Sequence, residues 1–360
     1  MLSEIGSDFW ECSFELPDRK TKLWWESKDF NCFFLKSGRN AIKALANMIK
    51  TNCSKILLPI YTCETVITPF LDEGWEIDYY KLNTDLSINI DYLFEIVNAV
   101  RPTAILFHSY FGFNTYQHNI DVIEQLHEQG IIIVEDITQS LFSNHYIKCA
   151  DYFVSSLRKF IATPDGGVLF SRNKFNLTNI EDANLNLAET AKIAFKLKKE
   201  YMENFQSAEL KSEFRDKYSE LNKMISDNKK IQNISRDSKS IFLSCDINRI
   251  KKCRAANFKR LVEVVKKLDN LQLVIEKYIG DETPLYLPIY VENNRKQLQD
   301  YLASNNVYCP VIWPQPKEIN NLDEVTDYMY KHMLCIPIDQ RYGSEEMDKI
   351  STLLMNYDYK

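Results

Sequence analysis

No apolar stretch of this 360-residue chain approaches the length of a membrane-spanning helix, which argues against membrane insertion. There is no long block of lysine and arginine either. With a net charge of −6, that argues against nucleic acid as the main partner. The nine cysteines form no CxxC pair and no Cys/His cluster of metal-ligand spacing, so no metal site is expected. In "FNCFFL" and "HMLCIPI" they stand in apolar surroundings and read as small core residues of a protein kept in a reducing compartment. The N-terminus "MLSEIGSDFWEC" is acidic and polar, unlike a signal peptide, so the expectation is a cytoplasmic protein. Internal repeats and low-complexity segments are lacking too.

What is present is ample core material, including 20 tyrosines and 20 phenylalanines. The length exceeds one typical core, so a large domain over 1–245 and a smaller C-terminal α+β domain over 246–360 are expected. From about 30 to 170, short apolar runs such as "KILLPIYTC", "TAILFHSYFG" and "IIIVED" alternate with helical stretches such as "AIKALANMIKT" and "IDVIEQLHEQG". That alternation predicts an α/β fold with a mostly parallel sheet sandwiched by helices. Residues 175–240 contain a charged, helical stretch free of glycine and proline, expected to be an insertion, a cap over a cleft or a dimerisation arm. Beyond 245, "INRIKKCRAANFKRLVEVVKKL" reads as a helix, "PLYLPIYV" and "VYCPVIW" as strands, and "LCIPIDQRYGSEEMDKISTLLMNY" as a strand followed by a helix.

Four features at strand ends carry chemistry. "SGRNAI" places Ser37, Gly38 and Arg39 at a helix start, where backbone N–H groups favour a phosphate, although simple capping would look the same. "VEDITQ" ends a very apolar strand on Asp136, with Gln139 one turn later. A carboxylate buried there needs a cation or donor, or else it caps the next segment. "FHSYFG" puts His108 and Tyr110 after another buried strand, where a packed core histidine is the plain alternative. "SSLRKFIATPDGG" sets Lys159 after Ser155 and Ser156 and before a double glycine. In this order the four suit pyridoxal phosphate, which needs a lysine for its Schiff base, an acid for its ring nitrogen and donors for its phosphate.

These motifs, in co-linear order from Ser37 onward, resemble the DegT/DnrJ/EryC1/StrS family of pyridoxal-phosphate aminotransferases. "SGRNAIKAL", "ILLPIYTCETV", "ILFHSYFG", "IIVEDITQS" and "LRKFIATPDGGVLFS" are similar to successive family motifs, with the lysine-to-Gly-Gly spacing retained. The resemblance implies a fold type I architecture and a two-fold homodimer. It implies Lys159 as the Schiff-base lysine, Asp136 as partner of the ring nitrogen and Gln139 beside the ring hydroxyl. Gly38 and Arg39 would offer backbone donors to the phosphate, with a hydroxyl from Ser155 or Ser156, and His108 and Ser109 would lie near the ring's edge. Cys63 occupies the slot of the usual stacking aromatic, so stacking would come from Tyr61 or from elsewhere. Arg39 stands where threonine is usual, Val154 where a serine is usual, and no G-x-N-x-R-M segment follows Phe170. The implied activity moves an amino group, with glutamate as donor, to a keto group on a nucleotide-linked sugar for surface polysaccharide. A sugar dehydratase or lyase with the same cofactor, and an inert relative acting as a binding protein, are the rival expectations.

Overall fold

The computed structural model describes residues 4–10, 19, 21–203, 207–227, 229–276 and 278–359. Residues 1–3, 11 and 12 of the N-terminal stretch quoted above lie outside them.

Strand and helix alternate where the apolar periodicity requires. The first half runs β1 (Asn31–Leu35), α1 (Gly38–Met48), β2 (Lys55–Pro59), α2 (Glu64–Asp72), β3 (Glu76–Tyr80), α3 (Ile90–Val100), β4 (Ala104–His108), α4 (Ile120–Glu128) and β5 (Ile132–Asp136). Then come β6 (Tyr152–Ser156), β7 (Gly167–Ser171), α5 (Leu185–Glu203), α6 (Ala208–Ser226) and α7 (Arg236–Ser244). The chain closes with α8 (Ile247–Val265), β8 (Leu271–Leu273), β9 (Tyr286–Val291), α9 (Arg295–Ser304), α10 (Glu324–His332), β10 (Met333–Pro337) and α11 (Ser344–Asn356).

Internal contacts group the described residues into two compact units. The first draws on Met1–Ser7, Asn52–Ala150 and Asn248–Lys360, the second on Asp8–Thr51 and Asp151–Ile247. This grouping differs from a division at 245/246, because the chain enters and leaves each unit more than once. Seven strands make a mixed, mostly parallel sheet flanked by helices, as expected. Those of the first unit run β5-β4-β2-β3, all parallel. β4 is buried along its whole length, which is why it reads as an unbroken apolar run. α2 and α3 pack on β3, and α4 packs on β5. The same unit carries a second, antiparallel sheet, β10-β9-β8, with α9 and α10 against it. This is the α+β arrangement expected of the C-terminal part.

In the second unit β7 lies between β1 and β6 and is antiparallel to both, with α1 packed across β6 and β7. α5 and α6 pair through aromatic contacts, Tyr201 on Phe214 at 5.1 Å and Phe195 on Tyr218 at 6.0 Å between ring centroids. The chain leaving α6 then runs along the outer edge of β1. Lys36 donates its N–H to the Gln232 carbonyl at 2.9 Å, and Ile234 donates to that of Phe34 at 3.2 Å. An edge strand left bare would offer unpaired backbone groups to another chain, so this segment protects it.

Two features differ from the sequence expectations. "VYCPVIW" is not a strand: Val307 makes one isolated bridge with Ile5, and no ladder follows. Pro310 has no N–H to contribute, and its carbonyl accepts a single bond from Cys335 at 3.0 Å. β6 and α10 were not read from the sequence as elements. Among the described residues no helix is long and apolar enough to cross a membrane.

Candidate functional site

In the first unit, the parallel register of β4 and β5 pairs His108 with Asp136 at the two strand ends. Strand ends of this kind are where open α/β sheets bind ligands. Asp136, 4% exposed, accepts the Thr138 N–H on Oδ1 at 2.8 Å, and its Oδ2 lies 3.4 Å from His108 Nδ1. The other ring nitrogen of His108, Nε2, lies 2.8 Å from the Thr62 hydroxyl. Burial lowers the His108 pKa, with the Asp136 charge opposing that shift, so the imidazole is held neutral. Trp313 packs on the His108 ring at 5.4 Å and Tyr110 at 5.5 Å between centroids.

One residue earlier on each strand, the side chains point to the other face. There Glu135, fully buried, accepts from Ser109 Oγ at 2.8 Å, Tyr116 OH at 2.5 Å and Ile147 N–H at 2.7 Å. Burial pushes its pKa up to about 7 in spite of these three donors. The expected place of Ser109 near a ring edge is therefore corrected: its hydroxyl is committed to Glu135. Gln139 uses its Oε1 to accept the Phe111 N–H at 2.6 Å. Tyr61 is enclosed, with Tyr330 at 4.9 Å and Trp313 at 5.6 Å, while its hydroxyl bonds the Ile312 carbonyl. Cys63 is the N-cap of α2 and makes no cap bond through its side chain; its Sγ accepts from Thr65 Oγ1 at 3.0 Å.

In the second unit, α1 begins on an N-cap serine. Ser37 Oγ accepts the Asn40 N–H at 3.1 Å, and the Ser37 carbonyl accepts that of Ala41 at 2.9 Å. Helix geometry leaves the N–H groups of Gly38 and Arg39, the first two helical residues, without an intrahelical acceptor. The Arg39 side chain turns away to the Ser226 carbonyl at 3.0 Å. β6 and β7 come unusually close to this helix start. A Cβ at Gly38 would stand 3.0 Å from Ser156 Cβ, and one at Gly167 only 2.2 Å from the Ser37 carbonyl carbon and oxygen. Gly166, at φ +131°, makes the turn that permits this approach.

Alternation along β6 separates the two serines. Ser156 faces Gly38, so Ser155 points to the opposite side, where its hydroxyl is buried without a hydrogen-bond partner among the described residues. Of the two serines, Ser156 lies on the side of Gly38 and Ser155 does not. Lys159 ends a single 3-10 turn, Leu157–Lys159, after β6. Leu157 and Phe160 are buried, but the lysine itself is exposed. Asp165, in the loop that follows, is buried and accepts the N–H and hydroxyl of Ser235, the N-cap of α7. That bond anchors the glycine turn to the helical region.

The structure thus gathers Asp136, His108, Tyr61 and Gln139 in one unit, and Ser37, Gly38, Arg39, Ser156 and Lys159 in the other. Sequence reasoning missed Thr62 and Trp313. Nothing in the local pattern marks Thr62, and "VYCPVIW" reads as a strand. The residues present nevertheless suit pyridoxal phosphate: the second unit offers N–H groups without intrahelical acceptors and a hydroxyl at a helix start for an anion, and the first unit a buried carboxylate for a ring N–H⁺.

No family model matches this chain, and no curated protein matches it. Solved structures do. A DegT DnrJ EryC1 StrS aminotransferase from Brucella abortus is 16% identical, with a TM-score of 0.63 over 90% of this chain and 85% of that one. NtdA from Bacillus subtilis, solved with bound cofactor PMP, is 17% identical, with a TM-score of 0.64 over 90% of this chain and 72% of that one. PseC from Helicobacter pylori, an aminotransferase involved in the biosynthesis of pseudoaminic acid, is 14% identical, with a TM-score of 0.62 over 90% and 86%. At such identities the likeness shows the fold, which these proteins and this chain share.

Proposed function

We propose that this chain, sharing the fold of those aminotransferases, is itself a pyridoxal-phosphate-dependent aminotransferase. The observation that carries the proposal is the start of α1 beside Ser156, where the first N–H groups of the helix have no intrahelical acceptor, an anion site of the type a cofactor phosphate needs. The bound cofactor would supply a carbonyl for amine exchange and an electron-accepting ring. Lys159 Nζ would be its point of attachment and, once displaced by substrate, the group that moves the proton on the substrate carbon. Asp136 would keep a proton on the ring nitrogen. Gln139, its Oε1 fixed by Phe111, would donate its amide N–H to the ring hydroxyl.

The substrate reading is finer. Glutamate is the proposed donor, and the proposed acceptor is a keto group on a nucleotide-linked sugar for surface polysaccharide. The likeness to PseC, an aminotransferase involved in the biosynthesis of pseudoaminic acid, supports this. A cytoplasmic two-fold homodimer is part of the same proposal, and light scattering at twice the 42.3 kDa chain mass would support it.

The test is borohydride reduction of the protein loaded with pyridoxal phosphate, followed by peptide mass mapping. Label is expected on Lys159 and absent from Lys159→Ala, which should keep its fold and lose all turnover from glutamate to keto-sugars. Lys36 is the control: it is a buried lysine one residue before Ser37, bonded to the Asp227 carbonyl. Label on Lys36 instead would overturn the assignment.

A further inference from the structure

We infer that Thr62 is a positioning residue that fixes the tautomer of His108, so that His108 presents Nδ1–H to Asp136. What this does for the cofactor rests on the proposal above, but the tautomer does not. A carboxylate accepts hydrogen bonds and never donates them, so a ring nitrogen 3.4 Å from Asp136 Oδ2 is favourable only as an N–H. A neutral imidazole carries one such proton, which leaves a lone pair on Nε2. The group facing that lone pair at 2.8 Å is the Thr62 hydroxyl, which serves as its donor.

Thr62 is fully buried, and the chain around it is clamped. The phenols of Tyr110 and Tyr330 donate to the carbonyls of Tyr61 at 2.6 Å and Ile60 at 2.9 Å, and the Ile60 N–H is bonded to Tyr80 at 2.9 Å. The hydroxyl is therefore held where a mobile threonine would not stay. With Thr138 N–H on Oδ1 and His108 on Oδ2, both carboxylate oxygens of Asp136 face a proton. The carboxyl group is held in one orientation before any cofactor binds.

The experiment reads imidazole nitrogen NMR shifts in the cofactor-free protein with labelled histidine. The chain has five histidines, and His108→Gln assigns the relevant signals. Wild type should show a protonated Nδ1 and an unprotonated Nε2. The opposite tautomer, or an imidazolium at neutral pH, overturns the inference. Thr62→Val should lose the single tautomer and bind pyridoxal phosphate roughly three- to tenfold more weakly, the cost of one hydrogen bond. Thr62→Ser should restore both, and unchanged signals from the other histidines would show that the fold survives. A Thr62→Val protein with unaltered His108 signals overturns the role of Thr62. Should wild type show the expected tautomer but bind no cofactor, the inference about Thr62 stands and the proposed function fails.

Discussion

The ends of β5 and β6 each offer two neighbouring polar residues, Glu135–Asp136 and Ser155–Ser156, and the two strands treat them differently. In both cases alternation sends the earlier residue to the interior and the later one to the chemically useful face. The difference lies in what the interior provides. Glu135 meets three donors, whereas Ser155 meets none among the described residues. A buried carboxylate without partners would be prohibitively costly, so the surroundings of Glu135 supply them. A lone hydroxyl costs little enough to be tolerated. Burial alone therefore does not identify a functional group; the face and the partners do.

The sharpest way to break the comparison is within the first pair. Asp136→Asn should retain cofactor and lose turnover by about a hundredfold or more, because an amide cannot hold the ring nitrogen protonated. Steady-state kinetics with glutamate would measure this, and undiminished turnover would remove Asp136 from the mechanism. Glu135 should instead govern stability. Its pKa is raised on folding from the ordinary 4.5 to about 7, so its contribution is fully present below the lower value and is lost as pH rises through the upper. Urea unfolding from about pH 5 to about pH 8 should show a decline on the order of 3 kcal/mol at most, and Glu135→Gln should flatten it. An equal slope in both proteins would place the titrating group elsewhere.

The second pair predicts smaller effects of opposite character. Ser156→Ala should weaken pyridoxal phosphate binding roughly three- to tenfold, read by absorbance titration. Ser155→Ala should leave that affinity unchanged and raise stability by less than about 1 kcal/mol, since it deletes a buried hydroxyl without a partner among the described residues. If the two serines exchanged these phenotypes, the assignment of faces along β6 would be wrong.

Much of this was legible in the sequence because it is local. Apolar runs closed by Gly74 or Gly130 reveal β3 and β5 as successors of helices, and Ser37 announces a cap wherever it is read. The placement of Asp136 followed from the same logic, as the polar end of an apolar run. Which of two adjacent serines turns toward a helix start did not follow, because it depends on where α1 settles on β6. Nor did Thr62 declare itself, since its partner is 46 residues away and the contact is made by the parallel sheet. "VYCPVIW" misled by composition: β-branched and aromatic residues suggest a strand, but Pro310 interrupts the ladder and the segment passes Trp313 to His108 instead.

The segment after α6 has a practical consequence for anyone reshaping this molecule. The long helical region looks dispensable, a charged hairpin attached to an otherwise regular α/β body. Its exit, however, supplies the backbone partners of Phe34 and Lys36, and Ser235 just beyond it grips Asp165 beside the glycine turn. A shortened version lacking α5, α6 and the following residues would bare the flank of β1 and release the loop behind Lys159 together. Such a protein would be inclined to self-associate through that flank before its chemistry could be assayed. Trimming should therefore stop at Ser226 and leave 229–235 in place.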